Sequence, residues 1–193
     1  QLVGFQFDRA EALATRRFEV AANWKLVAGL SHESYHFATL HRDSLSPMMT
    51  AHAVIDEFGA HTRWAFPFRD ITALAQKEPS QWPDHFPGVI NHTLFPGTVL
   101  VVPPTDAQLI RVEPGKSPGH SVVYYAGVCT SPERQDEARN AYAFGGDIFE
   151  TEDLPAAAQC QQGLAAGRST VVFGRNEPIV QAWHRRWQQL LTQ

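Results

Sequence analysis

Ser31 to His41 reads S-H-E-S-Y-H-F-A-T-L-H, placing three histidines and a carboxylate within a short stretch. Imidazole and carboxylate groups are ligands of first-row metals, and clustering them lets a folded chain present deprotonated donors at one point. Two metal readings compete. In the first, His32, Glu33 and His36 form H-E-x-x-H, with histidines at i and i+4 on one helix face and the glutamate as general base of a zinc protease. In the second, His36 and His41 form H-x4-H, with Glu33 one turn earlier. On an ideal helix five residues leave these two rings about 140° apart. The second pairing therefore demands a distorted helix, with a π-bulge or break between Ser34 and His41.

The residues upstream bear on the choice. From Phe18 the chain alternates so that Phe18, Val20, Ala22, Trp24 and Leu26 share one side, which predicts a strand leading into the histidine segment. Asn23-Trp24-Lys25-Leu26-Val27, followed by Glu33-x-Tyr35-His36-x4-His41-Arg42, resembles the catalytic domain of Rieske non-haem iron oxygenases, the ring-hydroxylating oxygenase α subunits. A second block, Glu152-Asp153 followed by Gln159-Cys160-Gln161-Gln162-Gly163-Leu164, resembles the family's E-D…Q-x-G-L segment. The likeness also extends to the order of elements along most of the chain.

The resemblance implies Fe(II) held by His36, His41 and Asp153, with dioxygen and a small organic substrate meeting beside it. It implies that Glu33, where the family usually has aspartate, bridges a metal-bound histidine to a cluster-bound histidine of a neighbouring subunit. It further implies a homotrimer supplied with electrons by a Rieske domain and a reductase or ferredoxin, and hydroxylation or demethylation as the reaction. From the local sequence alone, Asp153 before Leu154-Pro155 reads equally as a helix cap. Glu150 and Glu152 stand as alternative carboxylates. A further reading is a non-catalytic helix-grip module that binds a hydrophobic ligand.

Composition sets bounds. With 193 residues, 44% of them hydrophobic, the chain is expected to form one catalytic domain around one core. Thirteen glycines and thirteen prolines point to a loop-rich α+β fold. A net charge of -4 with no basic run argues against nucleic acid or an anionic membrane as partner. No apolar run reaches the roughly 18 residues of a membrane helix, and Gln1-Leu2-Val3-Gly4 has no basic signal-peptide region, so a cytoplasmic location is expected. Cys129 and Cys160 begin no C-x-H or C-x2-H pair, so the [2Fe-2S] Rieske cluster must come from outside this chain. The absent initiating methionine is expected of a piece of a longer protein.

The remaining elements follow from local pattern. Asp8-Arg9-Ala10-Glu11 reads as a capping box opening a short helix to Arg17. Strand pairs are expected at Ala51 to Phe58 with His61 to Phe68, and at Gly88 to Phe95 with Thr98 to Val102, the latter turning through Pro96-Gly97 as type II. Ala107 to Val112 and His120 to Cys129 continue an antiparallel meander. Short helices are expected from Asp70 to Gln76 and from Glu133, then Leu154 to Ala166 with a stop at Gly167. A strand is expected at Ser169 to Phe173. Asn176 is expected to cap a long last helix that buries Ile179, Trp183, Trp187 and Leu190, giving a helix-grip arrangement on a curved sheet. Phe37, Phe66 and Phe95 are candidates for pocket wall or core. His32 is expected to face solvent or a polar partner, and His52, His61, His85, His92, His120 and His184 have no ligand spacing.

Overall fold

The computed structural model describes residues 2–5, 7–167 and 170–192. Its frame is one antiparallel sheet of seven strands: β1 (Glu11–Val20), β2 (Val54–Phe58), β3 (His61–Pro67), β4 (Gly88–Leu94), β5 (Thr98–Val102), β6 (Ala107–Pro114) and β7 (Ser121–Cys129). The spatial order is β1-β7-β6-β5-β4-β3-β2, so β2 to β7 form a meander and β1 closes against the last strand. In β7 alternate residues from Ser121 to Cys129 are buried while those between them are partly exposed, the pattern of a strand with one face on the core.

Four α-helices cover that face: α1 (Trp24–Leu30), α2 (Gln135–Ile148), α3 (Leu154–Ala165) and α4 (Pro178–Leu191). The architecture is α+β and fits the helix-grip description broadly. Trp183 of α4 is 4% exposed, donates Nε1–H to the Pro96 carbonyl at 2.9 Å, and meets Trp24 and Trp187 edge to face. Helix α2 comes close to the sheet because it carries glycine there. A Cβ at Gly145 would lie 2.7 Å from the Tyr125 hydroxyl and 2.8 Å from Gln108 Oε1.

Two apolar clusters form. One joins Val99, Val112, Val123, Tyr125, Phe149 and Trp183, and the other joins Met49, Trp64, Phe66 and Ile179. Ile179, 2% exposed, ties α4 to the second cluster. Removing one of its methylenes as Ile179→Val is expected to cost about 1 kcal/mol, read as a lower urea midpoint at unchanged slope.

Several expectations are corrected. Asp8 to Arg17 is not a helix: its second half enters β1, because pairing with β7 from Glu11↔Cys129 to Val20↔Ser121 outweighs the helix preference of Ala, Leu and Arg. The strand expected through Leu26 ends at Val20. Asn23 instead caps α1, its side chain accepting Lys25 N–H at 2.9 Å. Gly97 is not at positive φ and Phe95–Pro96 is cis, so the turn is not type II. Glycine is required there because a Cβ would lie 2.7 Å from the Val112 carbonyl oxygen. No strand forms over 170–173, and Ser169 lies outside the described residues. The residue capping α4 is Glu177, without a side-chain cap bond, rather than Asn176. Helix α3 stops as expected, with Gly167 at φ 105°. Among the described residues no helix is long and apolar enough to cross a membrane.

Candidate metal centre

The histidine segment is neither a regular helix nor a π-bulge. Helix α1 ends at Leu30, a 3-10 turn covers Tyr35–Ala38, and irregular turns follow. The His36 carbonyl accepts from both Thr39 N–H at 3.0 Å and Leu40 N–H at 2.7 Å, tightening the chain so that His41 returns toward His36. The ring centroids end 4.8 Å apart. The π-helical distortion lies on the opposite wall, at Phe149–Asp153 between α2 and α3. Each residue in a helical turn advances the direction by about 100°, so one extra residue re-aims the side chains at the end of that turn. Glu152 and Asp153 consequently both meet His41.

The contacts are specific. Asp153 Oδ1 lies 3.4 Å from His41 Nε2 and 3.8 Å from His36 Nε2. Glu152 Oε2 is 2.7 Å from His41 Nδ1 and also accepts from the Ser44 hydroxyl at 2.9 Å. Glu33 Oε1 pairs closely with His36 Nδ1, while its Oε2 accepts the Tyr35 and His36 backbone N–H groups at 2.5 and 3.3 Å. Burial alone would raise the Glu33 carboxyl, but its bonds to His36 and the backbone N–H groups hold it below the usual carboxylate range. Burial disfavours charge on His41, yet Asp153 and Glu152 together raise its pKa.

Each histidine thus has one ring nitrogen held by a carboxylate and turns the other toward Asp153, an arrangement that fixes tautomer and ring orientation in metal sites. One donor atom from each of His36, His41 and Asp153 falls within a common 4.8 Å. Two donors about 2.1 Å from one ion stand at most about 4.2 Å apart, so capture demands only small ring rotations. Two imidazoles and one buried carboxylate suit a first-row divalent ion. Asp153 precedes α3 but makes no side-chain cap bond, which removes the cap reading.

The family model for the ring hydroxylating alpha subunit (catalytic domain) matches residues 7–193. The chain belongs to that family.

Solved structures of similar fold include the quaternary ammonium Rieske monooxygenase CntA in complex with L-carnitine, 17% identical, with 95% of this chain and 48% of that chain covered at a TM-score of 0.70. NdmA of Pseudomonas putida CBB5 with caffeine is 12% identical over 95% of this chain and 52% of its own, at 0.62. Dicamba monooxygenase bound to dicamba is 10% identical over 94% and 58%, at 0.63. The chain therefore spans about half the length of these solved structures, and likeness at such identities speaks for the fold. No curated protein sequence matches the chain.

In this family member a cavity of about 300 Å³ opens beside the three donors, between the two apolar clusters. Phe37, Met49, Trp64, Phe66, Ile110 and Phe144 form much of its wall. Phe37 and Phe66 thus line it, whereas Phe95 packs on Trp183 and Trp187 away from it. Gln108, on the same wall, donates to Asp106 at 2.8 Å and accepts from the Tyr125 hydroxyl. Its amide is fully engaged.

His32 is corrected. It is 2% exposed against Trp183, its ring nitrogens lack hydrogen-bond partners, and it does not join the donor group. H-E-x-x-H on one helix face accordingly does not form. Glu150 lies near Arg16 at 3.6 Å and is half exposed, and Glu152 holds His41 from behind, so neither alternative carboxylate takes the position of Asp153. The supporting roles of Glu152 and Ser44 were missed because pairing across more than a hundred residues leaves no local signal.

Proposed function

We propose that this chain is the catalytic domain of a Rieske-type oxygenase in which His36, His41 and Asp153 hold Fe(II). The observation that carries the reading is the convergence of two imidazole nitrogens and one carboxylate on the wall of an apolar cavity. Two histidines and one carboxylate with open positions form the donor set of non-haem Fe(II) oxygenases. When bound, Fe(II) supplies activation of dioxygen with electrons from a [2Fe-2S] cluster carried outside this chain.

The chain's own residues do the rest. Glu33 and Glu152 accept the Nδ1 protons of His36 and His41, keeping each Nε2 free as a donor. Phe37, Phe66 and Phe149 shield the reacting position from water, and the remaining wall orients an organic substrate for hydroxylation or demethylation. Glu33 is also the acid proposed to bridge toward a cluster-bearing neighbour in a homotrimer fed by a reductase or ferredoxin. Inter-subunit electron transfer in a quaternary ammonium Rieske monooxygenase of similar fold supports that assignment.

Elemental analysis after anaerobic loading tests the proposal: one iron per chain is expected, and stoichiometric zinc accompanied by peptide cleavage would overturn it. Glu152→Gln, which weakens the hold on His41, is expected to lower iron affinity by about 10- to 100-fold, measured by chelator competition.

A further inference from the structure

The inner face of the sheet carries a polar row that the metal centre does not use. Glu57 on β2, Thr62 on β3 and Thr93 on β4 stand directly opposite one another across two ladders, so their side chains leave the sheet on the same face. The next row on that face is Ile55, Trp64 and Asn91, and the one after pairs Phe66 with Val89. At the sheet edge, Glu57 has 52% of its side chain exposed and meets Arg185 of α4 at 3.6 Å. At the other end, Trp64 and Asn91 line the cavity beside the three donors. Polar side chains thus lead from the edge strand to the cavity, between the contacts that α4 makes through Arg185 and Ile179.

The interior of this row is enclosed and unpaired. Thr62 and Thr93 are 6% and 2% exposed, yet neither hydroxyl has a protein partner. The indole N–H of Trp64, a residue 3% exposed, and the side-chain oxygen of Asn91 lack one too. Enclosed polar groups without partners are costly, and several of them at facing and adjacent positions form the setting in which bound water recovers that cost. Facing side chains of an antiparallel pair start about 5 Å apart, a span that one water bridges. The groups also suit proton transfer, since a hydroxyl both donates and accepts, the indole donates and the carboxamide oxygen accepts.

We infer that Glu57, Thr62, Thr93, Trp64 and Asn91 hold a file of bound water that carries protons between solvent at the β2 edge and the cavity. The use of this path rests on the proposed oxygenase. Hydroxylation joins one atom of dioxygen to carbon and reduces the other to water, a balance that takes up two protons with the two electrons from the cluster. Glu33 and Glu152 are not free to supply them, because each is held at an imidazole nitrogen. A proton enters at the Glu57 carboxylate, passes by hydrogen-bond exchange along the threonine hydroxyls and their waters, and leaves from the water held by Trp64 and Asn91.

Exchange of the Trp64 indole N–H in deuterium oxide, followed by NMR on the metal-free protein, tests the path, with Trp64→Phe assigning the signal. Thr62→Val/Thr93→Val keeps the shape, removes both hydroxyls and is expected to slow that exchange by about tenfold or more. Thr62→Ser/Thr93→Ser, which keeps the hydroxyls, is expected to exchange at the parent rate, with circular dichroism checking the fold of both variants. A high-resolution crystal structure of the parent protein is expected to show ordered water on Thr62, Thr93 and Trp64. An unchanged rate in the valine variant, a serine variant as slow as the valine one, or a parent crystal without ordered water on those side chains overturns the inference. Iron content is measured in parallel. A parent protein that binds no iron but shows this exchange pattern sinks the oxygenase reading alone, and stoichiometric iron with unchanged exchange sinks the proton path alone.

Discussion

Asp153→Ala is expected to strip the protein of iron, weakening Fe(II) binding by more than about a hundredfold. The reason is that losing a ligand exceeds the 10- to 100-fold typical of an outer-shell change. Asp153 supplies the one carboxylate that faces both free imidazole nitrogens, at 3.4 and 3.8 Å, and it does so from a buried position. Without it, two neutral rings remain, and neither Glu33 nor Glu152 replaces it because each is held at the far nitrogen of a histidine. Asp153→Asn separates ligation from packing, since it keeps the volume and one oxygen while removing the charge. Iron per chain after dialysis and the metal-free melting temperature are measured together. If Asp153 served only to hold the fold, the melting temperature would drop while iron stayed stoichiometric, and that result would end the metal assignment.

Acid is expected to destabilise the protein through His32 independently of metal. His32 sits beneath the α1 end against Trp183, and burial lowers its pKa from 6.5 to about 4. The Ala28 carbonyl favours the charged ring without meeting hydrogen-bonding geometry, and His184 of α4 opposes it. The folded form therefore binds fewer protons than the unfolded form between those two values. Stability from this residue is complete above pH 6.5 and is lost as pH falls toward 4, amounting to about 3 kcal/mol for a shift of this size. His32→Leu removes the titration and leaves an apolar side chain on Trp183. Urea unfolding at intervals from pH 7 to pH 4 is expected to give a variant curve that lies flatter by about that amount. Parallel curves for the two proteins would show that His32 is solvated and the burial argument wrong.

The meander illustrates what local pattern can carry. Runs such as Thr98–Val102 and Ser121–Cys129 are short, almost continuously apolar, rich in valine and bounded by turn residues, so strand identity and antiparallel order were legible before any contact was known. Strand β1 was not, because Glu11 to Arg17 prefers a helix by itself and becomes extended only when β7 offers it a ladder. Asn23 carried the missing signal for α1, a side-chain cap hidden within an apparent alternation. The buried state of His32 was likewise invisible, since the ring that covers it, Trp183, lies about 150 residues later in the chain.

By itself, the sequence determined the antiparallel character of the sheet, and through the family resemblance it offered His36, His41 and Asp153 as candidate donors. Only the tertiary structure decided how the donors meet. A 3-10 turn replaced the helix around His36, a π-helical turn re-aimed Glu152 and Asp153, and carboxylates took the second nitrogen of each histidine, Glu33 of the same segment on His36 and Glu152 of a distant one on His41. The physical reason is range. Residue chemistry and periodicity are local properties, whereas the direction of a side chain at the end of a distorted turn depends on packing that the whole chain must first complete.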